Sequence, residues 1–307
     1  MILNILFIVI GIVLVLWGAD RLTDGAVAVA EKMKMPQIVI GLTIVAMGTS
    51  MPEFCVSLIS ALKGTSDLAV GNIVGSNIFN TLLIVGVSAL VAPMSIMKTT
   101  VRKDIPFALV ASALLLIMCL DEDISRIDAA ILFVMFLIFM YITLRGAKAQ
   151  GTDLEEKEKK PMATWLSVVW ILVGLACLIG GSNLFVDGAT AVATKLGVSE
   201  AVIGLTIVAG GTSLPELATS VVSARKGNSG IAIGNVLGSN VFNILAILGL
   251  TGVISPMTLK GITMTDLSMM VISIILIWLF SFTKYKIERW EGAILTAVFV
   301  GYIYSLL

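Results

Sequence analysis

The sequence contains no histidine. That absence removes His-based catalytic triads, imidazole metal sites and imidazole proton relays together. Cysteine is scarce: Cys55, Cys119 and Cys177 stand singly in apolar stretches, form no CxxC pair and read as small core residues, not as a disulfide framework. Charge is scarce too, at 13% of 307 residues, and it sums to zero. A neutral chain gives no electrostatic footprint for nucleic acid. The N-terminus has no basic n-region and no cleavage site, so its apolar run reads as a first membrane span, not a removable signal. What is present is apolar: 58% hydrophobic residues and a mean hydropathy of +1.06 exceed what a soluble domain carries. These values predict an all-α polytopic membrane protein.

One stretch occurs twice. Residues 39–94 and 202–257 align at a constant offset of 163, with about 32 of 56 pairs identical. The offset pairs Glu53 with Glu216, Asn80 with Asn243 and Pro93 with Pro256, and it extends to Asp24-Gly25-Ala26 against Asp187-Gly188-Ala189. Hydropathy predicts ten spans, near 3–30, 37–61, 68–92, 104–120, 127–145, 165–193, 200–224, 231–254, 264–283 and 289–306. That makes a first five-span half over 1–145, a charged connecting loop over 146–164 and a second five-span half over 165–307. An odd number of spans per half inserts the second copy from the opposite side, so the halves form two inverted five-helix repeats. Lysine and arginine divide fifteen against four between the two sets of loops, with Arg21 alone inside a span. The positive-inside rule then puts the 146–164 loop in the cytoplasm of a cell (inner) membrane protein and both termini outside.

Polar chemistry gathers in the repeat. G-T-S-M-P-E (48–53) and G-T-S-L-P-E (211–216) lie mid-span. Pro52 and Pro215 have no N–H, so the carbonyls of Gly48 and Gly211 lose their helical donors and the helices break near the midplane. Broken helices persist in a membrane only where they line a cavity or pack on protein. Backbone oxygens near Ala46–Thr49 and Ala209–Thr212 become candidate ligands, and Thr49 and Ser50 share the helical face of Glu53. Carboxylate, hydroxyl and carbonyl oxygens together are what hard cations take. In G-N-I-V-G-S-N-I-F-N (71–80) and G-N-V-L-G-S-N-V-F-N (234–243), Ser76 and Asn80 share one face at i, i+4, as do Ser239 and Asn243. Asn77 and Asn240 point elsewhere, either capping the break or bonding a neighbouring helix.

Intramembrane Ser, Thr and Asn often do no more than bond neighbouring helices, and for Gly11, Gly86, Gly174 and Gly249 packing is the better reading. Glu53 and Glu216 resist it. Arg21 could pair at most one of them, Asp20 beside it competes, and the position equivalent to Arg21 is Leu184. Buried acids without a basic partner read as an ion site. Two facing carboxylates repel in low dielectric, so a proton or cation must neutralise at least one; a divalent cation balances both, and an empty, doubly charged site resists occlusion.

The doubled G-T-S-x-P-E and G-N-x-x-G-S-N-x-x-N motifs resemble the alpha repeats of the cation/calcium exchanger superfamily, nearest the prokaryotic sodium/calcium exchanger branch. The resemblance covers essentially the whole chain. It implies a diamond-shaped site on spans 2, 3, 7 and 8, with calcium held by Glu53, Glu216 and the carbonyls of Thr49 and Thr212. It implies sodium on the same glutamates with the hydroxyls of Ser50, Ser76, Ser213 and Ser239 and the carbonyls of Ala46 and Ala209, while Asn80 and Asn243 complete the centre. Spans 1 and 6 would slide as a gating pair. Potassium-dependent members use an aspartate where this chain has Asn80 or Asn243, and both amides here argue against potassium dependence. No cofactor is expected, only Ca2+ and Na+ as transported ions. Proton/calcium exchange on the same glutamates is the rival. Remoter readings are a passive cation channel, or an intramembrane enzyme built on Asp121, Glu122, Asp123 and Asp128, which otherwise read as a solvated loop.

Overall fold

Hydrocarbon offers backbone amides and carbonyls no water, so a chain this apolar satisfies them within helices. The computed structural model describes residues 2–149, 162–197, 209–259 and 261–306, and these are overwhelmingly helical. In chain order the helices are α1 (Ile2–Met33), α2 (Gln37–Thr49), α3 (Met51–Leu62), α4 (Ser66–Val91), α5 (Thr100–Asp121) and α6 (Arg126–Ala147), followed by α7 (Thr164–Lys195). Then come α8 (Ala209–Thr212), α9 (Leu214–Arg225), α10 (Ser229–Ile254), α11 (Met264–Ser281) and α12 (Arg289–Leu306). Among the described residues seven helices are long and apolar enough to cross a membrane, and the pair α2/α3, bent by 49°, makes an eighth. The chain is thus a helical membrane-type protein.

The helices start and stop within a few residues of the hydropathy spans, with one expected span delivered as the bent pair α2/α3. The start of the span expected near 200–224, residues 150–161 of the connecting loop, and Lys260 lie outside the described residues.

Burial sorts the helices into two classes. α10 is buried along its length and α4 along most of it, whereas α1, α6 and α7 expose rows of Ile, Leu and Val, as lipid-facing helices do. α1 and α7 cross so closely that a methyl group on Gly18 would sit 2.8 Å from the Gly174 carbonyl oxygen. Only glycine permits that approach. The packing reading of Gly249 is met likewise, since a methyl there would lie 2.8 Å from the Phe133 amide nitrogen. Cys119 is buried as expected, but Cys55 is exposed on α3, because its neighbours Glu53 and Ser57 take the inward face of that helix.

Two short antiparallel pairings tie the loops. β1 (Met94–Ser95) pairs with β4 (Lys286–Ile287), and β2 (Asp123–Ile124) pairs with β3 (Met257–Thr258). Each joins a segment within residues 1–145 to one within residues 165–307.

Candidate functional site

The site begins at two backbone breaks 163 residues apart. α2 ends at Thr49, Ser50 adopts φ −83°, ψ 10°, and α3 starts at Met51 with Pro52 in its first turn. Ser213 adopts φ −90°, ψ 6° between α8 and α9, where Pro215 takes the corresponding place. A proline without an N–H fits the first helical turn, where amides lack intrahelical partners, and it therefore marks a restart after the break. Glu53 and Glu216 fall in the first turns of α3 and α9, where the amide ends of the helices favour negative charge.

The two breaks exchange hydrogen bonds. The Ser50 hydroxyl donates to Glu216 Oε1 at 2.8 Å, and the Ser213 hydroxyl donates to Glu53 Oε1 at 3.1 Å. Each carboxyl therefore takes its bond from the serine of the other repeat copy. Ser213 Oγ also lies 3.4 Å from Ser76 Oγ, which brings α4 into the cluster. Both glutamates are buried, at 1% and 0% exposure. No described cation pairs them. Arg21 instead bonds Asp20 at 2.5 Å, lies 3.8 Å from Asp24, and stacks over Trp17 and Trp170.

Around this centre runs a layer of amides. Asn72 Nδ2 donates to the Glu53 carbonyl at 3.2 Å and to Ser57 Oγ at 3.0 Å. Asn235 repeats the pattern on the Glu216 carbonyl at 3.3 Å and Ser220 Oγ at 3.0 Å, and its Oδ1 accepts the Thr49 hydroxyl at 3.0 Å. Of the two expectations for Asn77 and Asn240, bonding a neighbouring helix is the one met. Asn77 Nδ2 donates to the Asn240 carbonyl, Asn240 Nδ2 to Thr81 Oγ1, Asn80 Nδ2 to Asn240 Oδ1 and Asn243 Nδ2 to Asn77 Oδ1, at 2.7–3.2 Å. These four bonds lace α4 to α10 through the protein's centre.

Asn80 and Asn243 sit in wide π-helical turns, Phe79–Ile84 and Phe242–Leu248. Such turns carry an extra residue and are frequent at functional sites. They shift the side-chain register beyond Ser76 and Ser239, which a regular 3.6-residue period does not anticipate.

The structure thus gathers Glu53, Glu216, Ser50, Ser213 and Ser76 through direct bonds, with Thr212 also beside Glu53. Ser239, Asn80 and Asn243 are buried, and the two asparagines bond Asn240 and Asn77. Glu53 Oε2, Glu216 Oε2, Asn80 Oδ1, Asn243 Oδ1 and Ser239 Oγ are buried and have no hydrogen-bond partner among the described residues. All five belong to residues expected at the site. Elsewhere the same condition is met by hydroxyls such as Ser112 and by Glu291, whose other oxygen accepts the Glu288 amide. An unpartnered buried polar atom costs about 1–3 kcal/mol, and a cation relieves it where oxygens converge. The donor set is entirely oxygen, which suits hard cations. Among the described residues no group of three or more His, Cys, Asp and Glu could hold a metal.

The Ala46 carbonyl is less available than the resemblance implies. It accepts both the Ser50 amide at 3.0 Å and the Thr49 hydroxyl at 3.3 Å. Ala209 opens α8. The bearing residues missed from the sequence are Asn72, Asn235 and Thr81. Their signal was available for the first two, since an amide stands nineteen positions after each glutamate in both copies.

The family model described as sodium/calcium exchanger protein matches residues 3–145 and 166–307. The sodium/calcium exchanger MaX1 of Methanosarcina acetivorans is 32% identical over 99% of this chain and 98% of its own length. Inner membrane protein YrbG of Escherichia coli is 37% identical over 100% of this chain and 97% of its own length. The solved structure of the sodium-calcium exchanger NCX_Mj soaked with zero Na+ and Ca2+ superposes with a TM-score of 0.88 at 31% identity, covering 100% of this chain and 99% of that one.

Proposed function

The chain belongs to the sodium/calcium exchanger family, and from that premise we propose that it is a secondary antiporter exchanging Na+ for Ca2+ by alternating access around Glu53 and Glu216. The observation that carries the reading is the crossed pair of bonds, Ser50 to Glu216 and Ser213 to Glu53, with one oxygen of each carboxylate left unpartnered. Two carboxylates neutralise one divalent cation, so Ca2+ binds between them without residual charge. Thr49 and Thr212 supply carbonyls to Ca2+. Na+ occupies the same carboxylates with Ser50, Ser76, Ser213 and Ser239, and Asn80 and Asn243 turn their free amide oxygens to the centre. Ala46 and Ala209 carbonyls are the remaining sodium ligands of this reading. For Ala46 that requires the Thr49 hydroxyl to swing away.

In this reading ten spans form two inverted halves, 1–145 and 165–307, joined by the loop 146–164. The loop lies in the cytoplasm of an inner-membrane protein whose termini are outside. The pairing of β1 with β4 supports that sidedness, because it joins the loop of Lys98, which leads into Arg102 and Lys103 at the start of α5, to the loop of Lys284 and Lys286. The family points to a transporter and away from an enzyme, and neither ion is a cofactor.

The test is calcium uptake into sodium-loaded proteoliposomes at fixed pH. Sodium-driven calcium movement is expected from the native protein and is expected to vanish in Glu53→Gln and Glu216→Gln. Uptake that follows a proton gradient and ignores sodium would replace this reading with proton/calcium exchange. Sustained single-channel current would replace it with a channel.

A further inference from the structure

α1 ends its course along α9 in a knot of charge. Lys226, just beyond α9, lies 2.6 Å from Asp20 Oδ1 and 2.8 Å from Asp24 Oδ1, and it donates to the Asp20 carbonyl at 3.2 Å. Arg21 ties the two aspartates from the other side. One turn nearer the centre, Thr23 Oγ1 meets Ser223 Oγ at 3.0 Å, both fully buried, while Leu22 and Ala26 pack in one apolar cluster with Ala218. Beside this contact α9 carries a polar stripe. Glu216, Thr219, Ser220 and Ser223 stand at i, i+3, i+4 and i+7, all buried, and Thr219 Oγ1 has no partner among the described residues. α10 covers this stripe at Ser220, whose hydroxyl accepts from Asn235 Nδ2, and α1 closes its end at Ser223, beside the loop at Lys226.

The repeat supplies the same parts once more. At the offset of 163, Asp24 corresponds to Asp187 on α7 and Lys226 to Lys63 beyond α3, while Ser57 and Ser60 correspond to Ser220 and Ser223. Asp187 and Lys63 are exposed, and among the described residues neither has an ion-pair partner. Thr23, the inner contact, is matched by Val186, which has no hydroxyl to offer. One member of a symmetric pair of contacts is made and the other is open.

We infer that Lys226 with Asp24 and Lys63 with Asp187 are reciprocating ionic latches, one at each end of the molecule, that close in turn as α1 seats against α9 and α7 against α3. The inference rests on the proposed antiport reading, because alternation of two like contacts is what an inverted repeat permits. Asp20 and Arg21 strengthen only the first latch, since their counterparts are Asn183 and Leu184. The structure is accordingly biased to the state with the Lys226 end shut, and the native charges set the resting population.

The experiment uses full-length protein with Cys55, Cys119 and Cys177 replaced by alanine. Two double-cysteine variants, Asp24→Cys with Lys226→Cys and Lys63→Cys with Asp187→Cys, are treated in proteoliposomes with a short bifunctional thiol reagent across sodium and calcium concentrations. Both pairs are expected to crosslink, each arresting exchange reversibly on reduction. Failure of residues 63 and 187 to crosslink under every ionic condition overturns the proposal, as does a 24–226 crosslinked protein that exchanges at the unlinked rate. Separately, Lys226→Ala should raise labelling of Thr219→Cys by a membrane-impermeant thiol reagent from the Lys226 side by about fivefold, the shift an ion pair of ordinary strength commands. Unchanged labelling also overturns it. If the cysteine-free protein itself moves no calcium against sodium, the antiport reading fails. The crosslinking and labelling results still decide the latches.

Discussion

Replacing Glu216 by glutamine changes charge and almost nothing else. The side chain is fully buried, Oε1 accepts the Ser50 hydroxyl at 2.8 Å, and Oε2 is unpartnered. Glutamine keeps the volume and an oxygen for Ser50, so the lost quantity is one of the two negative charges opposing a divalent cation. Breaking a buried charge set by removing one member costs about 3–5 kcal/mol. At 1.4 kcal/mol per decade, the calcium dissociation constant of Glu216→Gln rises by roughly 140- to 3700-fold. The mirrored bond from Ser213 predicts the same loss for Glu53→Gln. The ion-free protein responds with the opposite sign, because the repulsion that forces one buried carboxyl to be neutralised has gone; its melting temperature stays level or rises. Equilibrium binding of radioactive calcium in detergent measures the first quantity and thermal unfolding in chelator the second. Calcium affinity within about tenfold of native in either variant would refute the paired-carboxylate reasoning.

Three further outcomes follow from the same geometry. Asn235→Ala removes an acceptor from Thr49 and donors from the Glu216 carbonyl and Ser220, costing about 1–3 kcal/mol for each group left unpaired; it should lower the unfolding midpoint more than Asn72→Ala, whose amide is only half-buried. Added calcium should stabilise the native protein by about 2.7 kcal/mol at a hundred times its dissociation constant, read as a thermal shift that Glu53→Gln loses. Gly174→Leu puts a Cβ 2.8 Å from the Gly18 carbonyl oxygen and 2.7 Å from the Leu22 amide nitrogen, so α1 and α7 cannot seat; aggregation in size-exclusion chromatography is expected, and a monodisperse, exchanging protein would contradict the crossing.

Much of the candidate site was legible because of where its chemistry stands. Glu53 and Glu216 declare themselves as carboxylates inside apolar runs, repeated at one offset with no cation in reach, and the two prolines mark where each helix breaks. Arg21 was the ambiguity, and three-dimensional packing resolved it: Asp20, Asp24 and two tryptophan rings occupy the guanidinium. Asn72 and Asn235 were harder, because an amide in a membrane helix bonds a neighbour as readily as a ligand, and only the folded chain says which. The π-helical turns carrying Asn80 and Asn243 leave no trace in periodicity, since they follow from packing between α4 and α10 and not from local preference.

By itself, then, the sequence determined that the chain is helical and membrane-bound, which acids are costly to bury, and which residues correspond across the repeat. These follow from composition and spacing, properties local to the chain. Tertiary structure alone decided that the serine of one copy bonds the glutamate of the other, that the Ala46 carbonyl is already engaged, and that Lys226 rests on α1 while Lys63 has no ion-pair partner among the described residues. Contacts across 160 residues or more depend on which surfaces close-pack, and no local pattern encodes the choice between two seats that the repeat makes nearly alike.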